Sequence, residues 1–211
     1  MEVVALGTSR VHMMPVIRGL VSEAATVRAA ISQVSPEAVG LSISREELEA
    51  LRLFEGGNVP PDNVEEEVYV RGLSRFGDVR KPPPCFEEAV RVAADRSIPV
   101  HPLDMDEEQY SSVFVASVST VDILLSNVRQ NRLRKWESKA PAAADFVLEW
   151  DALVNSSKGY RALQGERETF IARRIRQLAG KYRSLLAVLE LERTKGVVAR
   201  LRTEERAQRS T

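Results

Sequence analysis

The residues best suited to chemistry lie near the two ends of the chain and on one late helix. The first group is Gly7-Thr8-Ser9-Arg10, where an apolar run stops at a glycine. The last is Glu190-Leu191-Glu192-Arg193, which follows a second apolar run. Arginine presents a rigid fork of N–H donors and keeps its charge at any ordinary pH. Two arginines at strand ends, one close to a helix start, suit an anion such as phosphate or carboxylate. A glutamate beside such a site can act as general base, which makes Glu166 and Glu190 the candidates for that role. The plainer reading pairs Arg193 with Glu190 or Glu192, and makes Glu166-Arg167 a structural ion pair.

Other groups are weaker. His101 has no second histidine or carboxylate at ligand spacing. Asp104-Met105-Asp106-Glu107-Glu108 looks at first like magnesium chemistry, but a capped helix with an acidic first turn explains it more simply. Asp95-Arg96 reads as an ion pair at a helix end, and Cys85 has no activating base near it in sequence. Glycine-rich phosphate loops, serine elbows and HExxH are all lacking. No catalytic residue, metal ligand or cofactor is assigned.

Composition bounds the frame. The 211 residues, 44% hydrophobic and 28% charged, are those of a globular protein with an ordinary core. One cysteine excludes a disulfide framework. No apolar run approaches the roughly 18 residues of a membrane span, and the opening residues do not have a signal-peptide pattern, so a cytoplasmic protein without membrane attachment is expected. The net charge is zero, yet Lys158 to Thr211 carries 14 basic and 6 acidic residues. Their spacing paints the wet side of helices, and no aromatic residues interleave, so nucleic acid is not an expected partner.

The elements that must position the candidates follow from periodicity. Residues 2–6 read as a buried parallel strand, and 13–34 as a helix with Pro15 in its first turn. A second strand covers 38–43. Ser44 and Glu47 form a capping box for a short helix reaching Phe54. Residues 55–84, rich in Gly, Pro and Glu, read as an irregular connection that could serve as a lid. A helix from Cys85 to Asp95 leads to a strand at 98–103, placed at an edge by Pro99 and Pro102. Asp104, with Glu107, starts a helical region running to about 135. Further helices cover 141–153 and 161–179, the latter ended by Gly180. Residues 185–189 form the last strand and 196–208 the last helix. The fold class is therefore α/β. A small, mostly parallel or mixed sheet of four to five strands is covered by helices, with a large helical insertion between the third and last strands. The single domain divides into a first βαβα unit (1–54), the connection (55–84), a helix–strand pair (85–104), a helical subdomain (105–181) and a closing strand and helix (182–211).

In this order the motifs resemble those of the TraB/PrgY domain, related to the Tiki metalloproteases and to the erythromycin esterase and ChaN group. Gly7-Thr8-Ser9-Arg10 stands where that family has G-T-x-H. Pro36-Glu37 leads to Leu41-Ser42-Ile43 where the family strand carries a glutamate. Asp95-Arg96 matches an Asp-Arg before a strand, and Glu166-Arg167-Glu168, with Ala172 beyond, matches Glu-Arg-Asn and a small residue. Leu186 to Arg193, followed by Gly196, stands in place of the closing strand and G-x-G-H. The resemblance implies that Arg10, Ser42 and Arg193 replace the family's metal ligands. A guanidinium has no lone pair for a metal, so a degenerate centre follows. His12 could stand in as a ligand only with a shifted turn.

The resemblance implies a non-catalytic binding or regulatory protein, with Gly7, Thr8, Arg10, Ser42, Glu166, Arg167, Glu190 and Arg193 lining a pocket for a small anionic ligand. A homodimer through the helical region is a further expectation. The alternatives are a hydrolase acting on a phosphorylated or carboxylated substrate in the same pocket, a residual metallohydrolase around His12, and a scaffold using the basic C-terminal helices.

Overall fold

The chain begins with a hairpin rather than a strand feeding a helix. In the computed structural model, which describes residues 1–209, β1 (Glu2–Leu6) pairs antiparallel with β2 (Ser9–Val16). Leu6 faces Ser9, so Gly7-Thr8 is a two-residue loop. Gly7 has φ +60°, which suits the first central position of a type II′ turn and favours glycine there. The expected helix over 13–34 is corrected accordingly. Its first part is strand, and α1 occupies only Glu23–Val34. The misreading has a physical origin: Met13, Met14, Ile17, Leu20 and Val21 fit helical spacing, while the strand alternation beneath them is equally apolar on both faces. Val11 and Met13 enter one core, Met14 and Val16 the other. Pro15 is tolerated because β1 pairs no further along β2 than Met13, leaving one edge open there.

Five strands form one mixed sheet in the order β1-β2-β5-β3-β4, with β3 at Ala38–Leu41, β4 at Val100–Pro102 and β5 at Ser184–Glu190. Every pairing after the hairpin is parallel. The α/β expectation holds, with β1 as the antiparallel addition. β5 lies centrally, its residues Leu185 to Leu189 fully buried as an uninterrupted apolar run. β4 is an edge strand, as its prolines required. On one face α8 (Lys158–Ala179) and α9 (Leu191–Arg209) pack on Val11, Leu185, Ala187 and Leu189. On the other, α1, α2 (Arg45–Arg52) and α4 (Pro84–Asp95) cover Val16, Val39, Leu41 and Val188. Ser44 and Glu47 form the expected capping box.

The insertion over the strand ends is helical but divided. Part of the expected irregular connection is α3 (Val64–Leu73), capped by Asn63. The region after β4 breaks into α5 (Glu107–Ser117) and α6 (Thr120–Leu133), because Ser119 starts a fresh capping box with Asp122. The cap of α5 is Asp106 with Gln109, not Asp104 with Glu107. α7 (Ala143–Val154) brings Phe146 against α3, where a Cβ on Gly72 would lie 2.4 Å from the ring. Tyr69, Trp136, Phe146 and Trp150 form a tilted aromatic stack there, with ring centroids 5.5–6.1 Å apart. α9 follows β5 directly and does not wait for Gly196. No single described helix is long and apolar enough to cross a membrane.

Candidate functional site

In a parallel sheet, loops at the carboxyl ends of the strands gather side chains from several elements. Here these ends are Val16 on β2, Glu190 on β5, Leu41 on β3 and Pro102 on β4. Just past them come Arg18, Ser42 and Asp104. Ser42 is buried, and its Oγ accepts a hydrogen bond of 3.0 Å from the Glu190 backbone N–H, tying β3 to the β5–α9 junction. Glu190 is 3% exposed. Its carboxylate accepts from Arg18 Nη1 at 2.6 Å and lies 3.5 Å from Arg167 Nη2. Arg167 reaches in from α8 and donates through Nε to Asp104 at 3.0 Å, with Nη2 on the same oxygen. Arg18 extends outward to Glu47, the capping glutamate of α2, at 3.4 Å. The result is a line of alternating charge, Glu47–Arg18–Glu190–Arg167–Asp104, across the floor of the sheet's open end.

Each shift follows from this alternation. Burial alone would raise the Glu190 pKa, but Arg18 and Arg167 outweigh it and hold the carboxyl below its ordinary value. Burial would weaken the charge on Arg18, and Glu190 and Glu47 reverse that and raise its pKa. Arg167 is raised in the same way by Glu190 and Asp104. Asp104 is pushed up by burial, with Arg167 only partly offsetting it. Glu192, in the first turn of α9, stands apart. Burial and the neighbouring Glu190 charge push its carboxyl up to about 7. Tyr69 lies beside it, donates its hydroxyl to the Arg18 carbonyl at 3.1 Å, and is raised by burial and by Glu192.

Above this floor opens a cleft of about 840 Å³. Arg18, Ile43, Glu47, Glu190 and Glu192 form its base, and Tyr69, Tyr110 and Trp150 line its wall. The far side comes from the Asn58–Pro61 loop and Arg80 to Pro83, the connection expected to act as a lid.

The expected residues divide between the two ends of the sheet. Ser42, Arg167, Glu190 and Arg193 meet at the carboxyl end. Gly7, Thr8 and Arg10 do not join them. They sit exposed at the opposite end, where Arg10 pairs with Ser184 at the start of β5. From there to the Val16–Glu190 pair is roughly 20 Å of strand. The grouping of Arg10 with Arg193 is therefore corrected: the hairpin reverses the chain before β2 reaches the site, and the arginine delivered there is Arg18. Glu166 is exposed on α8, while its neighbours Arg167 and Glu168 point inward. Arg193 is 4% exposed and bound to Asp151, and to Glu168 at 3.4 Å. It is spent in ion pairs, as the plainer reading expected, but its partners come from α7 and α8 and not from the adjacent Glu190 or Glu192. Arg18 and Tyr69 have no sequence signal as a site, Glu47 and Asp104 read there as helix-capping residues, and Glu192 only as a partner for Arg193. Recognising Gly7-Thr8 as a hairpin loop is what would have placed Arg18 at a strand end.

A metal does not fit this site. The carboxylates Glu190 and Asp104 already accept from arginines, Ser42 accepts from a backbone amide, and no described cluster of three His, Cys, Asp or Glu residues has ligand geometry. His12 lies in the middle of β2, its Nδ1 without a partner and its pKa lowered by burial and by Arg10. His101 bonds Tyr182 at 3.0 Å on the edge strand, away from the cleft. Cys85 is buried and pushed up to about 12, so it is no nucleophile at neutral pH. The chain matches no known protein-family model, and no curated protein shows significant sequence similarity to it.

Proposed function

We propose that this protein is a small-molecule-binding α/β domain of TraB-like descent, with a guanidinium–carboxylate line as the floor of its pocket. The observation that carries this reading is the position of the cleft. It opens on the carboxyl ends of β2, β5 and β3, its floor is ion-paired, and its wall is aromatic. Such a pocket combines apolar area with a few fixed polar groups, as ligand sites do. Acting as a binding or regulatory protein, it would need no chemistry from the floor, since the charges there satisfy one another.

Ala50 offers a clean test, because it lines the cleft from the exposed side of α2. A metabolite screen read by thermal shift should find compounds that stabilise the wild-type chain, and Ala50→Trp should abolish the stabilisation while keeping the unliganded Tm. Stabilisation that survives the tryptophan would place the ligand elsewhere.

One observation favours a second reading, proton-transfer or hydrolytic catalysis. Glu192 is held near neutrality beside Tyr69, which suits a general acid or base at physiological pH. Turnover of any substrate that is lost in Glu192→Gln, with binding retained, would support it.

A further inference from the structure

Charge in the cleft is unevenly satisfied. Its lining holds Arg18, Arg80 and Lys81 as the basic groups, and each is already bound to a carboxylate. Arg18 holds Glu190, Arg80 lies 2.6 Å from Glu87, and Lys81 lies 2.5 Å from Asp62 and 2.9 Å from Glu66. The lining carboxylates Glu47, Glu65, Glu66 and Glu190 have cationic partners as well. Glu192 is the exception. Among the described residues it makes no ion pair and no hydrogen bond to another side chain, and the nearby Arg193 is committed to Asp151 and Glu168. An incoming anion would have to displace a carboxylate from a cation. An incoming cation at Glu192 would break no ion pair.

We propose that the cleft binds an organic cation, a primary or substituted ammonium, with Glu192 as its counter-charge and the Tyr69 and Trp150 rings as the wall against which its alkyl groups pack. The proposal rests on the cleft being a ligand site. Tyr69 and Trp150 both line the cleft, with ring centroids 6.0 Å apart. Aromatic faces beside a carboxylate select ammonium groups through their quadrupoles. A hard divalent ion would ask instead for several free oxygens, and only Glu192 supplies them. The raised pKa of Glu192 agrees with a carboxyl waiting for a partner, since a bound cation would favour its ionised form. The charged and titratable groups around it are Glu190 at the end of β5, Asp151 on α7, Arg193 on α9 and Tyr69 on α3.

The test uses the full chain with n-butylammonium and tetramethylammonium chlorides, followed by calorimetry and by the Glu192 side-chain carboxyl resonance. Binding is expected at pH 8, weaker by about thirtyfold at pH 5.5, where the carboxyl must first lose its proton. The carboxyl pKa should fall as the amine is added. Glu192→Gln should weaken binding at least tenfold at pH 8, and Glu192→Asp, a milder change should glutamine prevent folding, should give an intermediate loss. Equal affinity in Glu192→Gln, tighter binding of acetate or inorganic phosphate, or a preference for Mg²⁺ over the amines would each overturn the proposal. Neutral or anionic compounds whose binding is blocked by Ala50→Trp would overturn the cation and leave the cleft standing. Absence of any ligand blocked by that variant would remove both.

Discussion

Arg10 and Arg18 are carried by the same strand, one as it opens and one just after it closes, and their circumstances are opposite. Arg10 is exposed at the amino end of β2, where its neighbours are other strand starts. Arg18 is bound into a line of five charged groups that fixes the carboxyl ends of three strands. The residue type is the same, and the end of the strand decides the role. At the amino ends α1, α4 and α8 finish and short connections lead into β3, β4 and β5, with contacts that are mainly backbone ones. At the carboxyl ends α3, α7 and α8 arrive from the insertion and deliver Tyr69, Asp151 and Arg167 to one place.

The contrast breaks most visibly if the central charge of that line is removed. Glu190→Ala would leave Arg18 and Arg167 facing one another without their shared counter-ion. Truncating one member of a buried ion pair costs about 3–5 kcal/mol, which for a chain of this size lowers Tm by roughly 6–20 °C. Thermal unfolding followed by circular dichroism would measure it. A loss under a few degrees would mean that the line contributes little, and that the two ends of the sheet differ less than their geometry suggests.

The fold was legible in the sequence wherever apolar pattern and caps agreed. Ser44 with Glu47, the unbroken Leu185–Leu189 run and the prolines around β4 each fix one element unambiguously. It was illegible where one pattern served two structures. Residues 9–21 satisfy both helical and strand spacing, and only the conformation of Gly7 decides between them. That single ambiguity moved the expected site from Arg18 to Arg10. The helix α3 was hidden by the Gly and Pro punctuation before it, although Asn63 caps it in an ordinary way. Of the expected lining residues Ser42, Arg167, Glu190 and Arg193 do meet at one end of the sheet, although Arg193 stands on α9 ahead of the start expected for it at Gly196. The remainder comes from loops and the insertion, whose contacts depend on packing across the sheet end rather than on local spacing.

A finer comparison sets Glu190 against Glu192, two carboxyls separated only by Leu191. Glu190 titrates below the ordinary value and Glu192 at about 7, so their contributions to stability run in opposite directions with pH. For Glu190 the stabilisation is present above the ordinary carboxylate pKa and is lost as the pH falls through the depressed folded value. For Glu192 the folded state holds a proton that the unfolded chain has released, so stability declines as the pH rises from about 4.5 to about 7. Glu192→Gln removes that decline. Its Tm relative to wild type should therefore climb by a few degrees across this window and stay level above it, in denaturation series taken at several pH values. A flat difference would place Glu192 in open water.

The smallest effect is expected at Arg10. Its side chain is exposed, no hydrogen bond or ion pair ties it to a described neighbour, and its backbone N–H donates to the Arg183 carbonyl at 2.8 Å whatever side chain it carries. Exposed positions of this kind change stability by no more than about 0.5 kcal/mol. Arg10→Ala should leave Tm within a degree or two and leave ligand binding in the cleft unaltered. The measurement separates two accounts of the first motif. If Arg10 lay in the functional pocket, its loss would weaken binding as strongly as a change at Arg18. If the hairpin carries the chain past that point before the site begins, the substitution is silent in both readouts. An Arg10→Ala variant that binds poorly would show that β2 does not run as a strand from Ser9, and the sheet order that places Arg18 would fall with it.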